Sequence, residues 1–141
     1  RRPRSDYAGK FTLPFALAAP LVRARFTLDE LEDEALNDPA ILALCDRVGY
    51  QHDETSDFPR YYSGELRVKT TDGRELAHRE AVNRGADSRP LSEADVRDKF
   101  MSNAQRVIDT QQAEQVWQAV MNLDKAPDLK ALTAVLGAQG D

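Results

Sequence analysis

The sequence predicts an α+β fold, with helices towards both ends and a β-hairpin between them. Capped segments of apolar periodicity lie before Gly49 and return after Leu91. Between them, "ELRVKTTDGRELAHREAV" holds two strand-forming runs, with Val68 and Thr70 favouring strand. They flank Asp72-Gly73, a pair that tolerates the positive φ of a two-residue hairpin turn. Composition agrees: 41% hydrophobic and 30% charged residues suit a folded domain rather than a disordered chain.

The first element is the apolar run from Phe15 to Arg25, expected as a helix buried on most sides. Pro20 lacks an N–H and is expected to kink that helix or start it. Thr27 as N-cap with Glu30 three residues on is a capping box, which predicts a short acidic helix through about Leu36. Asp38 and Pro39 repeat the start signal, with Ile41, Leu42, Leu44 and Val48 as the buried stripe and Gly49 as the stop. Residues 50–64 are rich in turn formers and read as a loop, of which Arg60–Tyr62 is the part able to extend a strand.

After the hairpin and a loop through Gly85 and Pro90, Ser92 and Asp95 form a capping-box variant. The helix they open runs to about Ile108, with Val96, Phe100, Val107 and Ile108 near one face. Thr110 is the expected cap of the next, whose apolar face is Val116, Trp117, Val120 and Met121. A last helix runs from about Pro127 to Gly137, with Leu129, Leu132, Val135 and Leu136 inward, and "AQGD" is expected to fray. A two-stranded hairpin is marginal by itself, so its sheet is expected to be completed by strands outside this chain.

Charge and motif content narrow the function. A formal net charge of −5 argues against nucleic-acid binding, which needs a basic face. Arg1, Arg2 and Arg4 are a local exception and read as a solvated tail. Cys45, the single cysteine, excludes an internal disulfide, fits a reducing cytoplasmic setting and reads as a small buried side chain. The apolar run Phe11–Val22 is too short, and too broken by proline, to span a membrane. His52, beside Asp53 and Glu54, reads as part of a solvated loop rather than a metal ligand, and His78 as a strand residue. Lys10 and Thr12 are the candidate binding residues: a cation and a hydroxyl at the mouth of an apolar helix suit a substrate carboxylate. The plainer alternative makes Lys10 a surface residue, Thr12 an N-cap and Lys99 part of a polar helix face. No acid–base pair is evident, so the catalytic residues are unassigned.

The blocks "GKFTLPFALAAPLV", "FTLDELEDEALNDPAILAL", "VKTTDGRE" and "GADSRPLSEADVRDKFMSNA" together resemble the C-terminal part of the MmgE/PrpD family, which includes 2-methylcitrate dehydratase and cis-aconitate decarboxylase. The family's K-F-S-x-x-Y-x-x-A pattern stands here as Lys10, Phe11, Thr12, Phe15 and Ala18. Its P-L-S…K-F block stands as Pro90, Leu91, Ser92, Lys99 and Phe100, followed by Asn103. Thr12 keeps the hydroxyl of the usual Ser, whereas Phe15 loses that of the usual Tyr, so no role of that Tyr carries over.

The resemblance implies an α/β lid over residues 1–91 and helices over 92–141 that return to a large all-helical domain outside this chain. It implies a cofactor-independent lyase, a small polycarboxylate substrate such as a 2-methylcitrate-like acid, and a homodimer. The helical domain would come from the same or a separate polypeptide, and the chain alone would be inactive. The competing expectation is a non-catalytic interaction module whose apolar helix docks on another polypeptide. Neither reading calls for a metal, nucleic acid or membrane.

Overall fold

Seven α-helices and one two-stranded antiparallel sheet occur among residues 2–137, which the computed structural model describes. The class is α+β, as the sequence predicts; the expected fraying of "AQGD" lies outside the described residues. The chain divides into two compact units, one ending at Glu54 and the other beginning at Thr55.

The first unit holds α1 (Asp6–Phe11), α2 (Leu13–Arg23), α3 (Asp33–Leu36) and α4 (Pro39–Cys45). Its core joins Phe15, Ala18 and Ala19 of α2 to Leu31, Ala35, Leu36, Ile41 and Cys45, with Leu44 packed against them. The small residues at 18 and 19 let α2 lie close to α4, while Phe15 meets Phe26 edge-on at 6.2 Å. Full burial of Phe15 and Ile41 contributes roughly 1.5–3 kcal/mol each. In α4 the inward positions are Ile41 and Cys45, and the helix ends at Cys45, short of Gly49. Leu42 and Val48 are only half-buried.

Several expectations for this unit are corrected. α2 starts at Leu13, runs through Pro20 and buries only the face of Phe15, Ala18 and Ala19, leaving Leu13 and Leu21 half exposed. Pro14 causes no loss because it sits in the first turn, where an N–H has no helical partner. The helix expected through Leu36 is instead one 3-10 turn, Asp29–Leu31, followed by the separate α3. Glu30 does accept the Thr27 N–H at 2.8 Å, as a capping box requires. The Thr27 hydroxyl, however, donates to Glu30 at 2.9 Å and accepts the Asp29 N–H at 3.2 Å, which draws the chain into a tighter turn.

At the end of α2, Ala24 adopts φ +57°, a left-handed conformation unusual for a residue with a Cβ. Its N–H closes on the Pro20 carbonyl at 2.9 Å. On either side, Arg23 reaches Glu34 at 3.0 Å and Asp38 at 3.1 Å, while Arg25 reaches Glu30 at 2.9 Å.

In the second unit β1 (Gly64–Lys69) pairs antiparallel with β2 (Glu75–Glu80), Leu66 opposite His78 and Val68 opposite Leu76. One face therefore carries Leu66, Val68 and Leu76, and the other Glu65, Arg67, Lys69, Glu75 and Arg79. The turn is longer than expected: Thr70 N–H bonds the Arg74 carbonyl at 2.9 Å, and only Gly73 has positive φ, +88°. A three-residue loop with glycine in the left-handed position replaces the two-residue turn. Arg60–Tyr62 do not join the sheet.

The Ser92–Asp95 capping box forms reciprocally and opens α5 (Glu93–Ala104), which stops before Val107 and Ile108. Arg84 lies on Asp95 and, followed by the Ser92 bonds, holds its pKa down at about 2. Asp109, not Thr110, caps α6 (Thr110–Met121), accepting the Gln112 N–H at 2.8 Å, so the helix starts one residue earlier than expected. Trp117 packs on Phe100 at 5.8 Å, and Gln112 ties α6 to the Val135 carbonyl of α7 (Lys130–Gly137) at 3.1 Å.

Ala113, Val116 and Trp117 are the buried apolar residues of this unit among the described residues. Val120, Met121, Leu129 and Leu136, expected inside, are 43–57% exposed. In the first unit Tyr7, Phe11, Leu13 and Leu21 are exposed as well. The isolated chain is therefore expected to self-associate, with a sedimentation coefficient that rises with concentration and accessible surface for an apolar dye. A clean monomer that binds no dye would contradict this.

Candidate functional site

α1 places Lys10 at the surface. Ser5 caps it, accepting the Ala8 N–H at 3.1 Å; Asp6 lies in its first turn and Lys10 in its last, both favourable to the helix dipole. Gly9 is buried and turned to the core, which leaves Tyr7, Lys10 and Phe11 on the solvent side. The rings of Tyr7 and Phe11 meet at a tilt, 5.1 Å apart, although both residues are exposed. No hydrogen bond or ion pair engages Lys10 among the described residues, whereas Arg2, Arg23 and Arg25 of the same unit each meet a carboxylate. Arg2, expected in a solvated tail, is bound to Asp46 at the end of α4. Its guanidinium takes both carboxylate oxygens.

Thr12 is the single residue between α1 and α2. Its carbonyl accepts the Ala16 N–H at 3.0 Å, so by backbone it is the N-cap of α2. Its hydroxyl makes no cap bond and instead donates to the Ala8 carbonyl at 2.7 Å, closing the last turn of α1. With its proton committed, the oxygen offers a lone pair. The Lys10 ammonium is thus left exposed, and the Thr12 oxygen is left as an acceptor.

The other residues that carry the sequence resemblance have structural positions. Phe15 is wholly buried beside Phe26 and presents nothing to a ligand. Ser92 is a helix cap, Phe100 packs on Trp117, and Lys99 and Asn103 are exposed. Burial pushes the Cys45 thiol up, which makes it a poor nucleophile. His52 is exposed, and His78 stands 2.9 Å from Glu80 on the sheet. A groove of about 370 Å³ between α6 and α7 is lined by Asp109, Gln111, Gln112, Gln115, Ala134 and Val135. It holds no cation, so it does not suit an anionic acid.

Sequence reasoning missed two residues that shape the neighbourhood of Lys10. A Cβ on Gly9 would stand 3.0 Å from Leu31 Cδ2 and 3.2 Å from Leu36 Cδ2. Glu30, seen only as a cap, is 0% exposed. Burial works against its charge, but the Thr27 N–H, the Arg25 guanidinium and the Thr27 hydroxyl outweigh that and hold its pKa below the ordinary value. The capping spacing was the available signal for Glu30; for Gly9 there was none.

The fold is α+β, with an exposed lysine on a short helix and, among the described residues, no acid–base pair beside it. The profile described as the MmgE/PrpD C-terminal domain matches residues 1–125, and the chain belongs to that family. It is 27% identical over 139 residues to the cis-aconitate decarboxylase-like protein oryM of Aspergillus oryzae, an alignment covering 98% of this chain and 29% of that protein. It is 25% identical to the cis-aconitate decarboxylase of Mus musculus and 26% identical to that of Homo sapiens, each over 95% of this chain and 28% of the relative. The chain thus spans less than a third of the length of these relatives.

Replacing Thr12 by Val keeps the side-chain shape and removes the donor to the Ala8 carbonyl. The expected loss is about 0.5–1.5 kcal/mol of stability, measured as a lower urea midpoint at unchanged slope. An unchanged midpoint would mean that this bond contributes nothing and that the hydroxyl is available as a donor.

Proposed function

We propose that this chain is the C-terminal part of a cofactor-independent lyase of the MmgE/PrpD type, acting on a small polycarboxylate such as a 2-methylcitrate-like acid. The observation that carries this reading is the family match along residues 1–125, joined to relatives named as cis-aconitate decarboxylases. Loss of water or carbon dioxide beside a carboxylate develops negative charge, which needs a proton-transfer group and a fixed cation. Lys10 supplies the cation and binds a substrate carboxylate; Thr12 lies beside it as a second substrate contact. The acid–base groups come from the remaining portion of the enzyme, a helical domain in the same or a separate chain. Residues 1–91 belong to its lid and the helices after Ser92 return to that domain. The working enzyme is a cytoplasmic homodimer.

A second reading, a non-catalytic module that docks on another polypeptide, is favoured by the exposed apolar residues of both units. Activity separates the two. The 141-residue chain alone is expected to turn over neither 2-methylcitrate nor cis-aconitate. Joined to the remaining helical portion it is expected to turn over a substrate of this class, and failure there favours the docking module. In the assembled lyase, Lys10→Met removes a charge-assisted contact worth about 1.5–3 kcal/mol, and kcat/KM is expected to fall roughly ten- to a hundredfold. The melting temperature should hardly move, because an exposed lysine contributes little stability. Intact kinetics with a lowered melting temperature would make Lys10 a structural residue.

A further inference from the structure

Resting on the reading of Lys10 and Thr12 as substrate contacts, we infer that Gly9 is the positioning residue for that pair. α1 presses one bare backbone position, Gly9, against the core and leaves the residues on its other side in solvent. The closest side-chain atoms to a Cβ there would be Leu31 Cδ2 at 3.0 Å, Leu36 Cδ2 at 3.2 Å and Phe15 Cε1 at 3.7 Å. The missing side chain therefore sets how deeply α1 sits. Leu31, Leu36 and Phe15 are themselves buried and close-packed, so they have little room to retreat. α1 has solvent behind it and is the element that gives way.

The two neighbours of Gly9 connect this depth to the proposed site. Ala8 carries the carbonyl that accepts the Thr12 hydroxyl at 2.7 Å, and Lys10 follows directly. An outward step of Gly9 moves both at once. The long stem of Lys10 absorbs part of such a step, but the short β-branched side chain of Thr12 does not. A methyl at residue 9 also improves helix propensity, which offsets the crowding. Stability should then change little while the geometry of the pair changes, the reverse of what a purely structural glycine would show.

The test uses the lyase assembled from this chain and its remaining portion, with cis-aconitate and 2-methylcitrate as probes and a melting curve for every variant. Gly9→Ala is expected to raise KM roughly fivefold or more with kcat altered less than about twofold. Shortening the leucine that the new methyl meets most closely, in Gly9→Ala/Leu31→Val, should restore KM towards that of Leu31→Val alone. The double variant also serves if Gly9→Ala melts below the assay temperature. An unchanged KM in Gly9→Ala, with KM raised by Lys10→Met, overturns the positioning role and leaves the lysine contact standing. A KM unmoved by Lys10→Met, or no turnover by the assembled protein, overturns both.

Discussion

The arrangement of the first unit depends on one buried carboxylate. Glu30 is withdrawn from water, yet it stays charged because three donors converge on it from two residues, Arg25 and Thr27. Those bonds fix the path of the chain from the left-handed turn at Ala24 into the 3-10 turn that contains Leu31. Leu31 in turn is the surface on which Gly9 rests, and Gly9 sets the seat of α1. From a buried acid to an exposed lysine, each step is a contact between neighbours. Displacing the acid should be felt at Lys10 although the two have opposite environments.

The second unit combines a small core with many surface ion pairs. Its ladder is laced by Glu65 with Arg67 and Arg79, and its helices by Arg84 with Asp95 and Arg97 with Glu114. Exposed pairs of this kind contribute between 0 and about 1 kcal/mol each, too little to replace burial. With Leu76, Val107, Leu129 and Leu136 left to solvent, this unit is better suited to be covered than to stand alone. That agrees with a chain that spans less than a third of its relatives.

Much of the fold was legible because the signals were local. Ser92 with Asp95, Asp38 with Pro39, and the strand pair around Gly73 act over a few residues, and each formed an element where the spacing predicted one. The errors arose where a local rule met a tertiary competitor. Thr27 and Glu30 have the spacing of a capping box, but the hydroxyl found the carboxylate, and Arg25 drew that carboxylate inward. The apolar character of α2 suggested burial on most sides, whereas periodicity cannot say how many neighbours exist to cover a helix. Lys10 and Thr12 are candidates by residue type alone. That Thr12 gives its proton to Ala8, and that Gly9 holds the helix which carries Lys10, depends on chain crossings that no single segment encodes.

The most direct test of this account is the pH dependence of first-unit stability in the wild type and in Glu30→Gln, read from the Ala18 and Ala19 amide signals during urea unfolding. Glu30 ordinarily titrates near 4.5 and is held lower in the folded chain, so the folded state binds its proton less readily than the unfolded one. Its contribution should be complete above that ordinary value and disappear as the pH falls through the lowered one. At neutral pH the account predicts that Glu30→Gln is less stable by about 1.5–3 kcal/mol, the usual worth of hydrogen bonds to a charged group, and that the gap closes in acid. A glutamine variant as stable as the wild type at every pH would show that desolvation cancels the three bonds, and that the carboxylate does not organise the unit.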